Sequence, residues 1–256
     1  MHSAFHTAVA SVLMYMLLWF IVSLVLRRND VADVAWGGGF IVAAVAALAS
    51  SGVTTSRALL VIALVIIWGL RLLLHIGFRN RGKGEDARYR KWREEWGKNA
   101  TLRSFFQIYI LQGVLLLVIS LPDIRSITAT DSPLGLVDLL GAIVWLTGFL
   151  FEAISDWQLL QFKKDRANKG KVISTGLWRY SCHPNYFGEV TLWWGIFLIA
   201  LTVPGGWITI AGPVTITLLI IGVSGIPMLE KKYEGNAEFD EYKRRTSAFF
   251  PLPPKA

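Results

Sequence analysis

Residues 180–201 read YSCHPNYFGEVTLWWGIFLIAL. The second half is apolar enough to enter a bilayer, yet a His-Pro-Asn break and a glutamate stand immediately before it. Polar groups are costly in hydrocarbon, so His183, Asn185 and Glu189 call for a role at this boundary. Proline favours the first turn of a helix and disfavours helical conformation in the residue before it. The stretch therefore reads as a loop that turns at His183 and launches a helix. Asn185 and Glu189 stand at i and i+4 in its first turns, on one face.

The rest of the chain is of the same kind. With 54% hydrophobic residues, 11 tryptophans and a mean hydropathy of +0.47, it is more apolar than an ordinary soluble domain and reads as an all-α integral membrane protein. Seven apolar runs, at roughly 8–26, 34–50, 58–78, 104–121, 134–157, 188–203 and 206–227, approach or exceed the ~20 residues that cross a bilayer. Lys and Arg collect in alternate connections: Arg27 and Arg28, then Arg79 to Arg103, Lys163 to Arg179, and Lys231 onward. Only Arg57, Arg71 and Arg125 fall elsewhere. Cationic loops stay in the cytoplasm, which predicts a seven-helix bundle with its N-terminus outside and its C-terminus cytoplasmic, in the cell inner membrane. The net charge of +8 is then topological and calls for no nucleic-acid partner.

Cys182 is the single cysteine, so neither an internal disulfide nor a thiolate metal cluster is expected, and no metal. The first apolar run lacks a small-residue cleavage site and reads as a retained helix. No repeat or linker divides the chain, which predicts one membrane domain over 1–256. Residues 1–103 would shape a substrate cavity and 104–256 a cofactor site.

Polar residues inside the runs fall at helical spacing. Trp68, Arg71, His75 and Arg79 share one face of the third run, and Glu152, Asp156 and Lys163 one face of the fifth. These stripes read either as structural glue, Arg71 against Asp156 for example, or as the walls of a polar cavity open to the cytoplasm. The loop QFKKDRANKGKVISTGLWRYSCHPN (161–185) and the sequence RNRGKG (79–84) combine cations with glycine, a composition suited to a phosphate-bearing ligand. There is no GxGxxG or P-loop. In EDARYRKWREEW (85–96), Tyr89, Trp92 and Trp96 share a face opposite the charges, as in a helix lying among headgroups.

The segments GFLFEAISDWQLLQFKKD (148–165), GLWRYSCHPNYFGEVTLWWG (176–195) and EYKRRTSAFFPLPP (241–254) resemble the steroid 5α-reductase C-terminal-domain family. The resemblance is to its bacterial, DUF1295-type branch, and DVADVAWG (30–37) and GEDARYRKWREEWG (84–97) resemble the same branch. It implies a seven-helix bundle that binds NADPH from the cytoplasm and passes hydride to the β-carbon of a lipophilic enone. By position, Asp156 and Lys163 match the family's cofactor-binding acid and base, and Asn185 and Glu189 the pair at the nicotinamide end. Asn80 matches an asparagine, Lys83 stands where arginine is frequent, and Arg244 and Arg245 lie near a tail arginine whose spacing falls on Thr246. Glu152, Arg179, Tyr180 and His183 complete the expected cofactor contacts.

The substrate half matches less well. The steroid enzymes polarise the ketone with a glutamate and a tyrosine, and the third run holds Trp68 and Gly69 there, with no tyrosine. Asp33, Trp36 and His75 are the substitute donors, with Asp33 alternatively a structural partner of Arg27 or Arg28. Membrane methyltransferases that use S-adenosylmethionine share an arginine-His-Pro element before their last spans. Here Cys182 replaces that arginine, and Glu230 is followed by Lys231 where they have a second glutamate. A lipid-binding or transport bundle is the non-enzymatic reading. The expected partners are a lipophilic substrate from the bilayer and the membrane lipids.

Overall fold

The computed structural model describes residues 2–52, 54–130 and 133–255. Among them there is no strand, and six helices are long and apolar enough to cross a membrane. The chain is an all-helical integral membrane protein. It divides into two compact units, Met1–Gly135 with Ala200–Gly212, and Leu136–Ile199 with Pro213–Ala256.

Unit 1 begins with α1 (His2–Leu26), α2 (Val31–Ser51) and α3 (Ser56–Asn80). Gly52, at φ 66°, ends α2 in a left-handed turn that side chains disfavour. The Thr55 hydroxyl then accepts the Ala58 N–H at 3.1 Å and opens α3. α2 and α3 touch backbone to backbone, because a Cβ on Gly37 would lie 2.6 Å from the Gly69 carbonyl oxygen, and the reverse holds equally. In lipid, such close approach of small residues supplies the packing that the hydrophobic effect cannot. One face of α1, including Met14, Leu18 and Val25, is exposed and suits contact with acyl chains.

The next segment is less regular than its sequence suggests. α4 (Ala87–Trp96) leads through a short turn to α5 (Ala100–Ser104), a π-helical stretch (Phe105–Ile110) and α6 (Leu111–Ile119). The fourth run, read as 104–121, stops at Ile119. A separate short helix, α7 (Leu121–Ile127), opens on Pro122 and is buried along most of its length. Proline starts a helix as readily as it breaks one, so this boundary reads as a simple loop until the packing is seen.

Unit 2 contains α8 (Leu136–Lys164), α9 (Pro184–Ala200), α10 (Ala211–Leu218, from Pro213 on), a π-helical stretch (Leu219–Val223), α11 (Ile226–Lys231) and α12 (Ala237–Arg245). α9 starts at Pro184, as the break predicts. With 17 residues it is about 25 Å long, shorter than the ~30 Å of a hydrocarbon core, and it is not among the six long apolar helices. α8 and α9 run antiparallel and meet through two glycines each. A Cβ on Gly141 would lie 2.7 Å from the Gly195 oxygen, and one on Gly148 2.5 Å from the Gly188 oxygen. The seven-residue spacing of both pairs puts them on one seam.

Candidate active site

The glycine seam sets the register of everything polar beyond it. A Cβ on Gly188 would meet the Glu152 backbone nitrogen at 2.4 Å, so the acidic stripe of α8 lies directly against the start of α9. One turn further, Asn185 Nδ2 donates to Asp156 Oδ1 at 3.2 Å. Glu152 and Asp156 are buried, Glu189 is half-buried and Lys163 is exposed. The stripe thus grades from buried carboxyl groups to a solvent-facing cation, with Asn185 bridging the two helices.

The turn before α9 is fixed by the C-terminal tail. Cys182 N–H donates to the Ser247 oxygen at 2.8 Å, the Ser181 hydroxyl to the Phe249 oxygen at 2.8 Å, and Leu252 N–H to the Tyr180 oxygen at 3.0 Å. The Ser181 hydroxyl also accepts the His183 N–H at 3.0 Å, and the buried Tyr242 hydroxyl rests against the Trp178 and Ser181 carbonyls. Phe249 and Phe250 each meet Phe187 edge-on, at 5.8 and 6.1 Å. His183 Nε2 lies 3.3 Å from Glu230 Oε1, and Glu230 also pairs with Lys243. Burial holds the His183 pKa below its ordinary value despite that carboxylate. Burial likewise pushes the Cys182 thiol up to about 11.

Arg179 and Tyr180 are exposed beside this turn. Arg244 and Arg245 are exposed and both pair with Glu241, Arg245 Nε at 2.5 Å. Sequence reasoning missed the role of Ser181, Tyr242, Glu230 and the tail in shaping the turn. Their signal was a hydroxyl before His-Pro and an aromatic-rich tail ending in Pro-Leu-Pro-Pro, which fixes no partner by itself.

Unit 1 gathers a second polar cluster. Arg28 does not take Asp33, but holds Asp30 bidentately at 2.6 and 2.7 Å and donates to the Lys83 oxygen at 2.9 Å. Asp33 is bound instead by Arg88 Nη2 at 3.1 Å and by the Tyr89 hydroxyl. Tyr89 is buried, so it is not an interfacial anchor beside Trp92 and Trp96. Its hydroxyl donates to the half-buried Asp33 carboxylate, which offsets part of the cost of withdrawing that group from water. Trp36 stands edge-on to Phe40 at 5.3 Å, and Phe40 edge-on to Trp68 at 5.2 Å. His75 is half-buried on α3. Asn80 lines a groove with Arg28 and Arg81, and Lys83 is exposed.

Fold and site together define a polytopic helical membrane protein in which a helix start carries paired acid and amide side chains. Residues 19–246 match the family described as protein of unknown function (DUF1295), and the chain belongs to that family. It is 28% identical over 167 residues to an uncharacterised protein of Schizosaccharomyces pombe, covering 56% of this chain and 48% of the yeast one. It is 36% and 37% identical over 67 residues to the 3-oxo-5-alpha-steroid 4-dehydrogenase 1 proteins of Bos taurus and Homo sapiens. Those matches cover 26% of each chain, so this chain spans about half the length of the yeast relative and a quarter of the mammalian ones. No solved structure matches.

Proposed function

We propose that the protein is a membrane-embedded, NADPH-dependent reductase acting on the conjugated C=C of a lipophilic enone. The observation that carries the reading is the Asn185–Asp156 bridge between α8 and α9, with Glu152 and Glu189 each one turn away. The similarity to proteins named as 3-oxo-steroid dehydrogenases supports the same chemistry.

The donor set fits a dinucleotide. Carboxylates and an amide suit hydroxyl and carboxamide groups, and exposed Lys163, Arg179, Arg244 and Arg245 suit phosphates. Arg244 and Arg245 release Glu241 at little cost, since exposed ion pairs contribute about 1 kcal/mol or less. NADPH would supply the hydride. The chain's own task is to hold the reactive end at the start of α9, where Asn185 is oriented by Asp156, and to exclude water there. Reduction of an enone also requires a donor toward the carbonyl oxygen. The donors expected from the sequence, Asp33, Trp36 and His75, all lie in unit 1, where the Tyr89 hydroxyl donates its hydrogen bond to Asp33.

Replacing Glu189 by Gln keeps size and packing and removes one charge-assisted hydrogen bond. NADPH affinity is expected to fall about ten- to a hundredfold at unchanged melting temperature. A folded variant that binds NADPH normally overturns the assignment. The His183–Glu230 contact favours a second reading, an S-adenosylmethionine-dependent methyltransferase, because it joins the two residues that the chain shares with those enzymes.

A further inference from the structure

Unit 1 contains a cavity of about 350 Å³ between the end of α1, the start of α2 and the last turns of α3, within the roughly 300–1,000 Å³ of small-molecule sites. Its walls are Leu26, Val31, Val34, Leu73, Leu74 and Phe78, and its polar rim includes Arg28 and Arg81. Gly77 forms part of the wall. Glycine in a helix interior costs about 1 kcal/mol relative to alanine, and at Gly37 and Gly69 that cost is offset by backbone contact. Gly77 makes no such contact: a Cβ there would meet only Val34 Cγ1, at 4.0 Å. What its missing side chain provides is the space of the groove.

The rim carries net positive charge. Arg28 and Asp30 neutralise each other through two hydrogen bonds. Arg81 is exposed, and its side chain has no hydrogen bond or ion pair among the described residues. Leu26, Leu74 and Phe78 are exposed along the opening, a surface that water tolerates poorly and acyl chains fill. An apolar trough with a cation at one end matches a lipid whose head carries a phosphate, the chemistry by which basic recesses between membrane helices select anionic lipids. We infer that this groove is a binding site for one anionic phospholipid of the bilayer, its chain along Gly77 and its phosphate at Arg81.

The test is native mass spectrometry of the detergent-purified full-length protein, incubated with dioleoylphosphatidylglycerol or dioleoylphosphatidylcholine. The wild type and Gly77→Ala should retain one phosphatidylglycerol and much less phosphatidylcholine. Gly77→Leu, which fills the trough without meeting backbone, should retain none at an unchanged melting temperature, and Arg81→Gln roughly tenfold less. Adding NADPH should leave the lipid in place. Full retention by both Gly77→Leu and Arg81→Gln, equal retention of the two lipids, or expulsion by NADPH would overturn the assignment. The last result would give the phosphate contact to the cofactor.

Discussion

His183 has 1% of its surface exposed and faces Glu230 on one side and the Tyr186 ring on the other, stacked at 5.7 Å. Desolvation outweighs the carboxylate, so its folded pKa lies below the unfolded value of 6.5. Above that value both states are neutral and the contribution of the site is complete. As pH falls through 6.5 toward the lower folded value, the unfolded chain takes the proton first, and stability falls by no more than about 1.4 kcal/mol per pH unit. Melting temperature followed from pH 7.5 to 5.5 should drop in the wild type more than in His183→Gln, and parallel curves would contradict this account. Residue types and spacing were legible here: Asp156 and Asn185 were singled out on separate helices by i, i+4 pattern alone. Their mutual hydrogen bond was not legible, because periodicity gives a face and not the neighbour that covers it. Tyr89 was misread for the same reason, since an amphipathic helix looks alike whether its aromatic face meets headgroups or a half-buried aspartate.

Among elements, the α8–α9 seam decides the site, and its signal was in the sequence. Gly141 and Gly148 on one helix and Gly188 and Gly195 on the other repeat at seven residues, and antiparallel pairing brings the two sets together. Gly148→Ala forces a methyl group to within 2.5 Å of the Gly188 oxygen and the Leu192 nitrogen. Backbone cannot yield as a side chain does, so a loss of about 1–3 kcal/mol is expected. Cys182 is a built-in reporter, since a buried thiol with its pKa near 11 is a poor nucleophile until the turn opens. Labelling by a maleimide dye during heating should shift to lower temperature in Gly148→Ala and remain near the wild-type curve in Gly77→Ala. Identical curves for Gly148→Ala and the wild type would contradict the seam. The helices α1 to α3 were legible from their apolar runs. α7 was not, because a seven-residue helix with a proline in its first turn carries too little periodicity to be told from a loop.

For the whole molecule, hydropathy and charge were the readable quantities, and they address different questions. Apolar length gave the membrane class and most of the long helices, while α9 is too short to be counted on length alone. Orientation rests on the distribution of Lys and Arg. A reporter fused after Lys255 is expected on the cytoplasmic side and one at residue 2 on the outside, and the reverse pair would overturn the positive-inside argument. The claim on which the functional reading depends is that the α8–α9 junction holds a reduced nicotinamide dinucleotide. Titration calorimetry of the purified protein in detergent, with NADPH, NADH and S-adenosylmethionine in parallel, tests it most directly. The account predicts that NADPH binds, that NADH binds more weakly for want of the phosphate met by the exposed cations, and that NADPH affinity falls as salt rises. Binding of S-adenosylmethionine with none of NADPH would contradict it.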